Sequence, residues 1–318
     1  MPTVVVTDST FPDVAQERAA AEAQGCAFNA HQCRSAEEVA EAIDGATVAA
    51  VQFAPVTREA IARLAPGAAI IRYGIGYDNI DIAAARELGV PVGYVPDYCT
   101  EEVAEHTCAS LLALLRKLPA LDASVRAGRW EAVAVARPVK PFAETLVGFF
   151  GFGQIGRAVH ARLAGFGFRF AVSDPALEEE DAAALGLERL DAAALFERCD
   201  AVCLHAPANA RTNGIINATT LGAMPRHGVI VNAARGSLVD ETALAAALEA
   251  GEIGGAALDV FTTEPLPADS PLRDAPNLML SPHAAWYSEA AIDRLQGLVA
   301  DDITRHLAGK ALRKPVPG

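Results

Sequence analysis

Basic residues are scarce in this chain. Lysine and arginine number 26 against 40 aspartates and glutamates, for a net charge of −14. That balance excludes non-specific binding to nucleic acid, whose phosphates need basic patches. An anionic ligand would need a locally positive pocket set against the global charge. The acids themselves are scattered along helical stretches (Glu37, Glu38 and Glu41, then residues 178–181) and read as solvated faces. Cysteines are few and unpaired in pattern. The six, at 26, 33, 99, 108, 199 and 203, form no CxxC pair and no zinc spacing, so no metal site is expected. Cys199 and Cys203 stand four apart, but Cys203 lies in the apolar run AVCL and reads as core. No disulfide framework emerges, which fits a reducing cytosol. Long apolar runs are missing as well, none approaching the ~20 residues of a membrane span. The opening MPTVVVTDST has neither a charged n-region nor a long apolar h-region. The expectation is a soluble, cytoplasmic chain with no nucleic-acid or membrane partner.

What is present is ample core material. Hydrophobic residues make up 52% of the 318 and charged residues 21%. That length is long for one domain and comfortable for two. Short β-branched runs alternate with helical segments through the first third. Strands are expected at 3–7 (TVVVT), 48–53, 68–72 (AAIIR) and 91–95. Helices are expected at 14–24, 59–64 and 81–88, the last ended by Gly89. Such alternation predicts a parallel sheet covered on both faces. A long helix should then open on the acidic turn after Thr100 and continue to Leu118, before Pro119. Its length and place between two α/β stretches suit a crossing between domains or packing against a partner subunit.

A second α/β unit opens at Thr145. Strands are expected at 145–150, 169–173, 201–204, 229–232, 256–260 and 278–281, with helices at 241–250 and about 288–307. The fold class predicted is therefore α/β, with two doubly wound, Rossmann-like domains of unequal size built on parallel sheets.

Gly151-Phe152-Gly153-Gln154-Ile155-Gly156 matches GxGxxG, follows the strand LVGFF and opens a helix. Asp174 stands 18 residues after Gly156, at the end of the next strand. Each part has a physical reason. Gly151 permits the tight turn, Gly153 lets backbone approach a pyrophosphate, and Gly156 lets helix and strand pack closely. The helix N-terminus, at Gln154 and Ile155, offers N–H groups and a positive dipole to the phosphates. Asp174 would accept bonds from the ribose hydroxyls and repel a 2′-phosphate. Pro175 and Ala176 supply no cation to receive one, so the expected cofactor is NAD rather than NADP.

Four further stretches follow strands: Leu204-His205-Ala206-Pro207, Val231-Asn232-Ala233-Ala234-Arg235-Gly236, Leu258-Asp259-Val260-Phe261 with Glu264-Pro265, and Ser281-Pro282-His283-Ala284-Ala285-Trp286. Reducing a 2-keto acid needs a cation for its carboxylate, an acid for the carbonyl oxygen and a hydride held over C2. Arg235 offers a planar fork matched to a carboxylate. His283 can give or take a proton near neutral pH. Glu264 would hold the other ring nitrogen and favour the protonated imidazole.

Taken with GFGQIG, these stretches resemble the D-isomer-specific 2-hydroxyacid dehydrogenases, in motif order and over almost the whole chain. RYGIGYDNID (72–81) and HAAWYSEAA (283–291) look most like the C-terminal-binding-protein branch of that family. The resemblance implies an NAD-dependent oxidoreductase acting between a small 2-keto acid and a D-2-hydroxy acid, with His283, Glu264 and Arg235 catalytic. It implies that Asp259 bonds the nicotinamide carboxamide and that Ala206, Pro207, Ala233 and Ala234 line the cofactor, with Arg235 and His283 beside it. Ile75 and Gly76 would meet the substrate carboxylate, and Trp286 is either a pocket wall or hinge packing. His205 and His106 read as structural. The implied topology has the NAD domain, 98–287, inserted into a substrate domain formed by 1–97 and 288–318. It also implies hinges near 96–100 and 282–288, and a homodimer joined through the NAD domains. Two other readings stand beside this one. The closest branch includes NAD(H)-responsive corepressor scaffolds with little turnover. Phosphite oxidation also occurs on this fold, whereas Glu264 points away from formate, whose oxidases pair histidine with glutamine.

Overall fold

Apolar residues fill the inner strands because both faces of each sheet are covered. The computed structural model describes residues 1–317 and divides the chain into two compact units. One comprises Met1–Cys99 together with the chain from Tyr287, the other Thr100–Trp286. The second unit is thus an insertion in the sequence of the first.

The first unit holds β1 (Thr3–Val6), β2 (Ala27–Ala30), β3 (Val48–Val51), β4 (Ala69–Arg72) and β5 (Val92–Gly93). They form one parallel sheet in the order β2-β1-β3-β4-β5. Val4, Val6, Ile70 and Ile71 are fully buried, as are all four residues of β3. Successive side chains of a strand face opposite sides, so a sheet with two covered faces needs continuous apolar runs rather than alternation. Helix Ala15–Ala23 lies beside the last helix, Glu289–Leu307, tied by Gln16 Nε2 to Asp293 Oδ1 at 2.9 Å and by Gln296 Nε2 to Asp13 O at 2.8 Å. Ser288 caps that last helix by accepting from Ala291 N at 2.9 Å. The tail lies along β5, where Val316 N donates to Val92 O and Tyr94 N to Lys314 O.

The second unit holds β6 (Leu146–Phe150), β7 (Arg169–Ser173), β8 (Leu187–Arg189), β9 (Ala201–Leu204), β10 (Val229–Asn232), β11 (Gly255–Leu258) and β12 (Leu278–Leu280). All are parallel, in the order β12-β11-β10-β9-β6-β7-β8. Val147 and Phe149 pack on one face with Leu111 of helix Thr100–Leu115 and Leu163 of helix Gln154–Leu163. Leu146 and Phe150 pack on the other with Leu195, Phe196, Leu244 and Leu248. Burying each such side chain contributes about 1.5–3 kcal/mol. The strand order reverses between β6 and β9, and open sheets bind ligands in the crevice outside the strand C-termini at such a point.

Several expectations need correction, among them strands β3 and β5, which end at Val51 and Gly93 rather than 53 and 95. The long helix ends at Leu115 instead of Leu118, and a separate helix runs Leu118–Arg126. Pro119 has no N–H to give to the Leu115 carbonyl, and its ring would crowd that oxygen. The chain turns instead through Lys117, left-handed at φ 54, whose Nζ donates to Gly254 O at 2.7 Å. Strands β2 and β8 were not anticipated. Both lie at sheet edges, with few buried residues and no β-branched run (AFNA and LER). Strand β11 stops at Leu258 rather than 260; Asp259 N makes one last bond to Asn232 O at 2.9 Å, and the chain then turns away from β10.

Candidate active site

Nearly every candidate residue of the second unit leaves the C-terminal end of one of its parallel strands. Gly151 follows β6, Asp174 follows β7, Ala206 and Pro207 follow β9, and Ala233 to Arg235 follow β10. Asp259 follows β11 and His283 follows β12. One edge of one sheet gathers residues spread over 133 positions of sequence.

The glycine turn is built by close approach. Gly151 has φ 90, and a Cβ there would lie 2.6 Å from Ala206 N and 2.8 Å from His205 C. Only glycine lets β6 turn away beside the β9 exit. A Cβ on Gly156 would come within 3.0 Å of Gly151 O, so the helix sits hard against the turn. At Gly153 the opposite holds, with nothing within 4 Å of a Cβ. Gly153 is the N-cap of helix Gln154–Leu163, and no side chain caps it. The N–H groups of Gln154, Ile155 and Gly156 therefore stand at an uncapped helix start, which suits a diphosphate. Asp174 is fixed for its part, Oδ2 accepting from Phe152 N at 2.6 Å and Oδ1 from Ala176 N at 2.8 Å. These residues fit the adenosine and diphosphate portions of NAD. Ala206 is buried, while Ala233 and Ala234 are half-buried and Pro207 is exposed. His205 is half-buried against Phe149 with its Nε2 out of solvent, and burial pushes its imidazole down to about 4, so it is a neutral packing group.

Three loops bring the candidate acid–base and anion-binding side chains together. His283 Nδ1 and Glu264 Oε2 are 2.7 Å apart, each side chain about a third exposed at 32% and 31%. Phe261 N donates to Glu264 Oε1 at 2.9 Å and fixes the carboxylate from behind. Burial pulls the Glu264 carboxyl up, but the bond and charge of His283, the Phe261 N–H and the nearby Arg235 charge outweigh it. Its pKa ends below the usual glutamate range, and the group is an anion at neutral pH.

Arg235 is half-buried and donates from Nη1 to Ala234 O at 2.6 Å. Its loop is held by Asn232, which is 1% exposed. The Asn232 carboxamide accepts from Ala234 N at 3.0 Å and donates to Arg235 O at 2.9 Å. A buried amide at a strand end must find such partners, and this one finds them in the arginine loop. Gly236 then lets that loop touch the glutamate loop, since a Cβ there would collide with the Phe261 and Thr262 backbone.

His283 itself is held in the left-handed region at φ 51, a conformation that costs a non-glycine residue about 1–3 kcal/mol. Asp259 accounts for its persistence. His283 N donates to Asp259 O at 2.7 Å. The Asp259 carboxylate, 2% exposed, accepts from Ala284 N and Ala285 N, both at 2.9 Å, and from Ser281 Oγ at 2.5 Å. The expectation for Asp259 named the nicotinamide, and the bonds it makes here grip the histidine loop. Neither Asn232 nor this clamp was foreseen; an Asn and an Asp at buried strand ends were the available signals. Trp286 is half-buried and closes the second unit. Ile75 and Gly76 belong to the first unit, half-buried in the turn after β4.

Comparison with known proteins points to one family. The model of the family described as "D-isomer specific 2-hydroxyacid dehydrogenase, NAD binding domain" matches residues 108–285. The D-3-phosphoglycerate dehydrogenase of Methanocaldococcus jannaschii is 37% identical over 276 residues, 86% of this chain and 52% of that protein. The chain spans about half the length of the curated relatives it matches. A solved protein of Thermus thermophilus matches with TM-score 0.87 and 30% identity, covering 99% of this chain and 100% of the other. An NADPH-dependent glyoxylate/hydroxypyruvate reductase of Sinorhizobium meliloti, in complex with NADP and malonate, matches with TM-score 0.84 and 30% identity. That match covers 99% of this chain and 96% of the other.

Proposed function

This chain belongs to the D-isomer-specific 2-hydroxyacid dehydrogenase family and carries its NAD-binding domain, and from that premise we propose that it interconverts a small 2-keto acid and the matching D-2-hydroxy acid. The second unit is the proposed NAD domain and the first the substrate domain. The observation that carries the reading is the His283–Glu264 pair at 2.7 Å, with the Arg235 charge beside it, at the cofactor edge of the sheet.

The roles follow from the chemistry. Bound NADH would supply a hydride to C2 of the keto acid. Arg235 would hold the substrate carboxylate, whose orientation fixes C2. With Nδ1 engaged by Glu264, proton transfer falls to His283 Nε2, which gives its proton to the carbonyl oxygen as that oxygen gains charge. Glu264 stabilises the imidazolium before the transfer and the tautomer after it. Ion-pair strength between groups a third exposed is modest, so orientation is the larger part of its contribution. Asp174 is the proposed determinant of NAD over NADP.

Subunit association is a further part of the proposal. Leu118, Val125, Trp130 and Val133 are 55%, 53%, 88% and 73% exposed over a short stretch of the second unit. That much uncovered apolar surface supports a homodimer through this unit. All six cysteines are buried free thiols, which fits the proposed cytoplasmic location.

The test is NADH consumption across glyoxylate, pyruvate, hydroxypyruvate, 2-ketobutyrate, phenylpyruvate and 4-methylthio-2-oxobutyrate, with D-3-phosphoglycerate run in the oxidative direction. Turnover of at least one supports the proposal. NADH-dependent assembly with no turnover of any of them would favour the scaffold reading.

A further inference from the structure

A second hydrogen-bonded chain lies behind the histidine loop. His106, on helix Thr100–Leu115, places Nε2 3.2 Å from Ser281 Oγ, and Ser281 Oγ lies 2.5 Å from Asp259 Oδ1. Three separate elements meet here: a helix, the exit of β11 and the exit of β12. Asp259 is buried, and the groups bonded to it are those that hold residues 281–285 in place.

The direction of the chain can be worked out. Oδ1 already accepts the Ala284 N–H, and Oδ2 accepts the Ala285 N–H. Both oxygens act as acceptors, so the single Ser281 hydroxyl proton goes to Asp259. Ser281 is then left with lone pairs, and His106 must donate to it from Nε2–H. The order is His106 Nε2–H to Ser281 Oγ–H to Asp259 Oδ1. Hydrogen bonds in series polarise one another, most strongly where water is excluded. The His106 side chain is 30% exposed and Asp259 only 2%, so the chain runs from a half-open residue to a buried anion.

We propose that His106 and Ser281 are positioning residues for His283, acting through Asp259. They anchor the carboxylate whose bonds to Ala284 and Ala285 keep His283 left-handed and its Nδ1 on Glu264. His106 touches none of the reacting atoms, and its role rests on the reading of His283 as the proton donor. Without the donor, the Asp259 carboxylate loses part of its anchorage and the 281–285 segment gains freedom. A displacement well under an ångström at a catalytic group is enough to slow turnover about tenfold.

The experiment uses the full chain in four variants: His106→Leu, His106→Gln, Ser281→Ala and the double variant His106→Leu with Ser281→Ala. Two readouts are taken, amide hydrogen exchange of the 281–285 segment and steady-state reduction of the best keto acid. His106→Leu and Ser281→Ala should each speed exchange at Ala284 and Ala285. Each should lower kcat about tenfold while KM and NADH affinity change less than about twofold. His106→Gln keeps an N–H donor and should recover most of both readouts. The double variant should be no worse than Ser281→Ala alone, since both act through one chain. Unchanged exchange in His106→Leu would overturn the proposal. So would a His106→Gln variant as impaired as His106→Leu, which would mean packing alone. If the exchange pattern appears and the unmodified protein reduces no keto acid, the positioning stands and the reaction assigned above fails.

Discussion

Gly236→Ala probes the joint between the arginine loop and the glutamate loop. A Cβ at 236 would meet the carbonyl carbon and oxygen of Phe261 and the amide of Thr262, all closer than 3.0 Å. Those are backbone atoms, so no side chain can swing aside. Ordinary contact begins at 3.4 Å, and the loops must part by more than about 1 Å. Phe261 N also holds Glu264 Oε1, so the movement is passed to Glu264 and from there to His283. Productive geometry tolerates about 0.5 Å, and a displacement of about 1 Å or more puts the expected loss in kcat at about 100-fold or greater. Overpacking of this kind costs about 1–3 kcal/mol, and a unit of this length loses roughly 2–4 °C of Tm per kcal/mol. NADH titration, thermal melting and steady-state kinetics on the same preparation separate the effects. NADH affinity should fall less than kcat, since the glycine turn that suits the diphosphate lies elsewhere in the unit and only Ala233 and Ala234 move with the loop. A variant that melts several degrees early yet keeps its kcat would refute the coupling of the two loops.

Other substitutions separate the remaining parts of the account. Gly153→Ala has room in the structure and should melt normally, while its methyl weakens NADH binding about tenfold or more, measured by fluorescence titration. The unmodified protein should favour NADH over NADPH in kcat/KM by at least about tenfold, worth ~1.4 kcal/mol, and Asp174→Ser with Pro175→Arg should narrow that gap. Trp286→Phe should raise KM for an apolar or thioether keto acid more than for glyoxylate if the ring is a pocket wall; equal losses would leave it a packing role. Glu264→Gln removes the carboxylate 2.7 Å from His283 Nδ1 that orients the ring, so kcat should fall about tenfold or more with NADH affinity kept, read from steady-state kinetics and NADH titration.

Much of this molecule is legible in one dimension because parallel sheets buried on both faces need unbroken apolar runs. TVVVT, AAIIR and LVGFF declare their strands without help. The candidate site residues are legible for a related reason, since a doubly wound sheet delivers ligand-binding loops from strand C-termini, and Gly151, Asp174, Arg235 and His283 each follow a strand end. What stays hidden is whatever depends on a neighbour far away in sequence. Edge strands β2 and β8 carry too little burial to show a pattern. The helix end at Leu115 depends on how Pro119 is accommodated. The Asp259 clamp joins segments more than twenty residues apart, and Asn232 reads as an ordinary polar residue until its loop folds back over it. The requirement at Gly236 likewise exists only once the β10 and β11 exits are side by side.

The central claim is that His283 moves the proton, and His283→Asn tests it most directly. The measurement pairs NADH titration with keto-acid reduction on the same protein. The account predicts NADH affinity close to the unmodified value and a kcat about 10²- to 10⁴-fold lower, the usual scale of general acid–base catalysis. A His283→Asn protein that binds NADH and still reduces its best keto acid at close to the unmodified rate would contradict it.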